Sequence, residues 1–477
     1  MKSSNSSDRR SIGLVGCVAL TIGHVVGSGI FTSPSLVIKQ TQSIGAALLV
    51  WTAAGLAAAS GALTYAEIST RLGRSGGDVA FVAAVGWTPI AFCFAAMQIF
   101  VIFPVIGCLQ ALAFAQHFLQ LFGLQSNDLW LNFAVAAGLM VLLLLVNLLV
   151  PFRQVMKFNI LLAGVKVATL LLVVLLSVRG EWANFAAPFA NSTLDPDELV
   201  DSFYAAFFAF EGYDVACVGV EEVIDPDRNL PLALSISVGL LVVLYAAVNF
   251  SVCLVVGTPL MIKMDAASLL KHFARVTLGR ADFVLSLLIA VGLINSLNVT
   301  MFGYTRNVHA CARGRLLPGW LSGWAARSGE PAVAFCFAVL LMTAGLLVFD
   351  ATSFGRLNEA ASVGQWLQHA TTAALLLFFR VARLPVRRSV WRPNVSSPLV
   401  YFVFMAAIVV GTLADDWTSG FLTAGTFLLA ATVFFLFRWP HGLLKWSQYA
   451  EVYEKTASVL NRFVESVFRC KVESESR

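Results

Sequence analysis

Apolar runs as long as a bilayer is thick follow one another along nearly the whole chain, and they fix its solvent before any other question is asked. A membrane helix needs about 20 mostly apolar residues. Such runs lie near 13–37, 44–69, 87–121, 130–150, 158–178, 199–222, 231–257, 282–310, 332–349, 360–380, 398–414 and 418–437, which predicts twelve spans. Inside hydrocarbon each backbone polar group must be satisfied within its own segment, so the expected fold is an all-α integral membrane protein. Composition agrees: 58% of residues are hydrophobic and 12% charged, against about 25% charged in soluble domains. The predicted organisation is a tail over 1–12, one membrane domain over 13–437 and an amphipathic tail over 438–477.

Orientation follows from lysine and arginine, which cytoplasmic loops carry in excess. With the N-terminus inside, the inner segments hold 24 of these residues and the outer loops 7, and the remaining one, Lys166, sits within span five. Both termini are therefore expected in the cytoplasm, of a plasma or bacterial inner membrane. The polar start, MKSSNSSDRR, leads into an apolar run too long for a signal-peptide core and without an obvious cleavage site, so the first span is expected to be retained. The net charge of +5 implies no nucleic-acid partner. Eight cysteines, at 17, 93, 108, 217, 253, 311, 336 and 470, form no CxxC pair, and six histidines show no paired spacing. Neither a disulfide framework, a metal site nor a cofactor is expected.

The first span contains Gly27-Ser28-Gly29 and the sixth Phe210-Glu211-Gly212, so each of two successive five-span blocks opens on a helix with a polar, glycine-marked interruption. Paired interruptions of this kind point to an inverted-repeat transporter with its site at the midplane. Small residues also mediate close helix packing, the expected role of Gly55 and Gly61. The carboxylate of Glu211 favours a site in span six.

Four ordered blocks carry a resemblance to a known group. They are Gly27-Ser28-Gly29-Ile30-Phe31; Tyr65-Ala66-Glu67; Ser75-Gly76-Gly77-Asp78; and Glu221-Glu222-Val223-Ile224-Asp225-Pro226-Asp227-Arg228-Asn229-Leu230-Pro231, with weaker support from Asn298, Arg306, Arg313 and Pro318. The chain resembles the amino acid, polyamine and organocation superfamily and, within it, the L-type amino-acid transporters that serve as light chains of heteromeric exchangers. The resemblance implies a leucine-transporter-type fold: two inverted repeats over about 13–178 and 199–380, spans one and six unwound at their centres, and two further C-terminal helices. It also implies that substrate lies between the breaks. Val25, Ser28, Gly29 and Ile30 would meet the carboxylate end, while Phe208, Ala209, Glu211 and Gly212 would surround the ammonium and side chain, with Phe208 as an aromatic gate. Half-helix termini suit this task, since free N–H groups favour an anion and free C=O groups accept from a cation. Three departures are plain. The loop Phe122–Asp128 lacks the cysteine through which such light chains join a glycoprotein, so no disulfide-linked heavy chain is expected and a non-covalent one stays open. Tyr213 stands where the family has tryptophan, and Cys217 where it has asparagine.

A charge at the bilayer centre costs at least about 2.5–3.5 kcal/mol, so each ionisable residue there needs a reason. Lys166 lies in NILLAGVKVATLLLVVLL; similar relatives place a lysine here as a surrogate for sodium between spans one and eight, which implies sodium-independent transport, the alternative being a lysine that snorkels to the interface. Glu211 and Asp214 flank Gly212, and relatives that accept cationic amino acids carry an acid at one or other position; the alternative is a carboxyl that stabilises unwound backbone. His24, one turn before the first break, is a candidate for substrate contact, for titration near neutral pH, or for a hydrogen bond across the bundle. Glu67 reads as structural or gating, and Glu221 and Glu222 as caps or ion-pair partners of inner loops. From Trp446 to Val467, the spacing of Tyr449, Val452, Tyr453, Leu460, Phe463 and Val467 predicts an amphipathic helix on the inner membrane surface or against the bundle.

The leading expectation is a sodium-independent amino-acid exchanger that accepts arginine or lysine through Glu211 and Asp214, its partners being the substrate and the bilayer. A proton-coupled symporter of neutral amino acids or polyamines, with Glu211 or His24 as carrier, is the alternative. A receptor that binds without transporting is a third reading. An intramembrane enzyme lacks the nucleophile, base or ligand pattern it would need.

Overall fold

A computed structural model describes residues 10–438 apart from 125–127, 194, 326–327, 349–350, 383–390, 392, 394 and 416, together with 458–462, 465 and 470–471. The first apolar run is two helices, α1 (Leu14–Val25) and α2 (Gly29–Thr41), whose axes bend by 46° at the break. Then come α3 (Ile44–Leu72), the short α4 (Gly77–Ala84), and α5 (Thr88–Met97), which runs through a π turn at Gln98–Ile102 into α6 (Phe103–Leu121). Helices α7 (Leu129–Leu149) and α8 (Phe152–Leu176) follow. The run at 199–222 is interrupted too: α9 (Pro196–Phe208) ends at the break and only a single turn, α10 (Val215–Val218), resumes beyond it. The chain continues through α11 (Pro226–Val256), α12 (Thr258–Met261), α13 (Ala266–Leu278), α14 (Phe283–Arg313) and α15 (Ala332–Val348). Last come α16 (Ala351–Ala382), α17 (Ser396–Asp415) and α18 (Trp417–Val433).

Among the described residues eight helices are long and apolar enough to cross a membrane, or nine with α1 and α2 taken as one bent span. The expected spans at 199–222, 332–349 and 360–380 differ from the observed helices for separate reasons. The first is cut by its break, α15 has 17 residues, and α16 starts earlier, at Ala351, and runs for 32 residues with polar groups along it. Of the C-terminal amphipathic stretch, 446–457 lie outside the described residues and 458–462 are helical; Cys470–Lys471 pair antiparallel with Trp324–Ala325 in the loop between α14 and α15.

Lipid tails are as apolar as leucine, so helices in a bilayer associate through close packing and interhelical hydrogen bonds. Both devices are present. A methyl group on Gly55 would sit 2.8 Å from Val242 of α11, and one on Gly61 would sit 2.6 Å from Tyr401 and 2.7 Å from the Tyr213 hydroxyl, so these glycines let α3 approach its neighbours. Asn147 of α7 donates to Asn298 of α14 at 2.7 Å, and Asn298 and Asn295 both donate to Asn159 of α8, at 2.9 and 3.1 Å. Leucines and phenylalanines cover the outside, with Leu142, Leu145 and Leu149 on α7 and Phe421 and Leu428 on α18 all exposed. That is the outward pattern of a bundle whose solvent is hydrocarbon.

Candidate substrate site at two broken helices

The break between α1 and α2 leaves backbone groups that helical bonding cannot satisfy, and side chains from three other helices take them up. Lys166 of α8 donates from Nζ to the Gly23 carbonyl at 2.6 Å and to Ser296 Oγ at 2.7 Å. The Ser296 hydroxyl of α14 donates to the Val26 carbonyl at 3.1 Å, and the Tyr245 hydroxyl of α11 donates to the Val25 carbonyl at 3.2 Å. Lys166 is 3% exposed, so its Nζ joins α1 to α14 in the interior instead of reaching a membrane surface. Ser28 stands at the N-terminal edge of α2 without a side-chain cap, its carbonyl accepting from Phe31 N and Thr32 N at 3.0 and 3.1 Å, and the N–H groups of Gly29 and Ile30 open the first turn. The Val25 N–H falls inside α1, and its carbonyl accepts from Tyr245 and from Gly27 N at 2.9 Å. The Ile30 side chain is buried, leaving only its backbone for a ligand.

The second break faces the first. A Cβ on Gly29 would stand 2.9 Å from Ala209 Cα, so the two interruptions touch backbone to backbone. Beyond Phe208 the chain turns through three-residue steps, Glu211 N to the Phe208 carbonyl at 3.3 Å and Val215 N to the Gly212 carbonyl at 3.3 Å. Gly212 adopts φ +102°, and any Cβ there would run into His24. His24 donates from Nδ1 to the Gly212 carbonyl at 3.1 Å, the hydrogen bond across the bundle among its expected roles. Phe208 ends α9 with 37% exposure, whereas Ala209 is buried. Glu211 accepts from Trp366 Nε1 of α16, and Asp214 lies just before α10. The structure therefore gathers Ser28, Gly29, Ala209, Gly212 and His24 at one junction, with Lys166 behind it and Glu211 turned toward α16. A cavity of about 10 Å³ between Gly27, Lys166, Thr169 and Gly292 holds at most about one water.

One end of the bundle is tied by ion pairs. Arg306 of α14 reaches Glu222 with Nε at 2.8 Å and Nη2 at 3.1 Å, and Glu330 with Nη1 at 2.5 Å, over the face of Phe302 at 4.0 Å. Arg313 grips Glu221 through two bonds of 2.7 and 2.5 Å. Glu67, wholly buried, is shared by Arg71 and Arg380. Glu330 stands outside the helices: burial pushes its carboxyl up to about 7, with Arg306 opposing the shift and Glu222 reinforcing it.

Sequence reasoning missed Tyr245, Ser296, Trp366 and His369. Each is one polar residue in a long helix, and only its partner, more than 150 positions away for the first three, gives it meaning.

Comparison with known proteins assigns the chain. The amino acid permease family matches residues 12–440. Amino acid transporter protein 6 of Caenorhabditis elegans is 30% identical over 92% of this chain and 84% of its own. The human b(0,+)-type amino acid transporter 1 is 26% identical, covering 93% and 90%, and the human cystine/glutamate transporter 24%, covering 86% and 82%. A bundle of apolar helices, two helices broken face to face, and a family match along nearly its whole length lead to one conclusion: the chain belongs to the amino acid permease family of the amino acid, polyamine and organocation superfamily, and is a multi-pass membrane transporter of amino acids.

Proposed function

We propose that the protein is a sodium-independent amino-acid exchanger working by alternating access, and that it accepts cationic amino acids. The observation that carries the selectivity is the pair of acids at the second break. Glu211 and Asp214 flank Gly212, and among the described residues no lysine or arginine forms an ion pair with either. Every amino acid brings the same carboxylate and ammonium, which the free N–H groups of Ser28, Gly29 and Ile30 and the carbonyls around Phe208 and Ala209 can hold, with Phe208 closing over them. Those groups do not tell arginine from leucine. At about 4 Å and an effective dielectric of 20, a carboxylate attracts a side-chain cation by roughly 4 kcal/mol before desolvation. A neutral side chain leaves the same carboxylate unpaired in a poorly hydrated pocket. Lys166 supports sodium independence, because its fixed ammonium already bridges α1 and α14.

The same reading takes twelve spans, with inverted repeats over 13–178 and 199–380 each opening on a broken helix and both termini in the cytoplasm on the lysine and arginine asymmetry. One relative, the rabbit large neutral amino acids transporter small subunit 2, is 26% identical over 91% of this chain, and its name supports a partner subunit. Without a cysteine in Phe122–Asp128, that association would be non-covalent.

Counterflow in proteoliposomes tests the reading with arginine, leucine and a diamine, each with and without sodium and pH gradients. Arginine uptake driven by internal amino acid and indifferent to sodium is expected. Glu211→Gly should slow arginine uptake at least roughly tenfold, about 1.4 kcal/mol, while sparing leucine. Equal loss of both substrates would assign Glu211 to the helix break, and wild-type protein that ignores arginine would overturn the proposal.

A further inference from the structure

Beside the second break lies a cluster of ligand-type groups, of which only Asp214 enters the selectivity proposed above. Asp78 belongs to the first turn of α4, Asp214 immediately precedes α10, and His369 belongs to α16; one donor atom from each lies within 4.8 Å of the other two. No linear spacing announces this set, because its members come from three elements, which is why the sequence predicts no metal site. Asp78 is 2% and His369 1% exposed, whereas Asp214 is partly open.

The arrangement is built. Asp78 Oδ1 accepts from the Tyr65 hydroxyl at 2.5 Å and from Thr372 Oγ1 at 2.6 Å, and Oδ2 accepts from Gln98 Nε2 at 3.3 Å. Outer hydrogen bonds of this type orient a ligating carboxylate. The His369 ring is held between those of Tyr65 and Tyr213, at centroid distances of 5.4 and 6.2 Å, and its buried Nδ1 has no hydrogen-bond partner. With both carboxylates ionised, as metal ligation requires, and the imidazole neutral, the set would offer a divalent cation a charge of −2. Among the described residues no lysine or arginine forms an ion pair with Asp78 or Asp214. Burying that charge without a counter-ion is costly, and a divalent cation removes it. One imidazole nitrogen and two carboxylate oxygens are zinc ligands at about 2.0–2.2 Å, and three protein ligands leave a fourth position open.

We propose that Asp78, Asp214 and His369 bind a divalent transition-metal ion of the zinc type, and that the bound ion ties the second break to α4 and α16 and so arrests transport. Movement of the break relative to α4 or α16 would have to pull a ligand from the metal. The site therefore works as an inhibitory clamp; it shares Asp214 with the selectivity proposed above, whereas Glu211 lies outside it.

Zinc titration of the purified full-length protein, at neutral pH and without substrate, tests it by calorimetry and by competition with a chelating dye. One ion per chain is expected, with affinity falling at least tenfold in Asp214→Asn and in His369→Gln and unchanged in His272→Gln, a histidine of α13 outside the cluster. Zinc X-ray absorption of the wild type guards against variants that fail to fold. A shell of nitrogen and oxygen with one imidazole is expected, and a sulfur shell would move the ion to the cysteines and overturn the proposal. So would unaltered binding by both variants, or no binding in the wild type. Because binding is read without substrate, its outcome is independent of whether arginine is transported; zinc should also slow counterflow of whichever amino acid the wild type carries, and not in His369→Gln.

Discussion

Gly212 meets two demands that no other residue can meet together: φ +102° lies in the left-handed region, and the space where a Cβ would stand belongs to the His24 ring. Non-glycine residues held in sparsely populated backbone regions cost about 1–3 kcal/mol. Gly212→Ala should therefore lower the unfolding midpoint of the purified protein and abolish uptake. Adding His24→Ala to it separates the causes, since only the steric part should be recovered. Lys166 is a different case, a buried donor whose value lies in its two acceptors, Gly23 and Ser296. Lys166→Ala leaves the Gly23 carbonyl without that donor, at about 1–3 kcal/mol for an unsatisfied buried group. Turnover should fall further than expression, and preserved wild-type transport would overturn the role of Lys166 as a fixed surrogate ion.

Among the elements, α14 links the first break to the ion pairs formed by Glu221 and Glu222. Its Ser296 holds the end of α1, and one and a half dozen residues or fewer further on Arg306 and Arg313 take Glu222 and Glu221 from the segment after α10. The third acid, Glu330, gives this closure a pH dependence. Its carboxyl titrates near 7 in the folded chain, against an ordinary 4.5, so above that pH it is ionised and pairs with Arg306, and below it Arg306 keeps Glu222 alone. The raised value also means that this group's contribution to folding stability is full below 4.5 and is lost as pH rises to about 7. Exchange in proteoliposomes should therefore change with pH around 7 at the face bearing Glu330, faster on the acid side as the tie loosens, and Glu330→Gln should flatten that profile. The interruptions themselves were legible, because glycine and a charge inside an apolar run are anomalies at the scale on which a sequence is read. The capping of α1 by Tyr245 and Ser296 was not, since a tyrosine and a serine in long helices α11 and α14 look ordinary until folding brings them to a carbonyl 220 and 270 positions away. For the same reason Asp78 was visible as part of a motif while His369, its companion in space, was not.

At the scale of the whole molecule the outside is hydrocarbon-facing and the polar chemistry lies inside, along a line from Lys166 through the two breaks to the Arg306 ion pairs. Any companion subunit must meet this exterior without a covalent bond through Phe122–Asp128. Native membranes run on gels with and without reductant should give the same band, and a heavier band that collapses on reduction would overturn that expectation. A diffusible ion that binds, crosses and leaves delivers the work of its gradient to each cycle. The ammonium of Lys166 returns to its starting place when the cycle closes, and so delivers none. On the proposed reading the protein is thus an equaliser and not a pump: it can raise one amino acid only by letting another run down, or by exchanging a cation for a neutral molecule across a membrane potential. That last term is worth about 2.3 kcal/mol per charge for each 100 mV, close to a fiftyfold ratio, and it multiplies whatever ratio the outgoing amino acid's own gradient supplies.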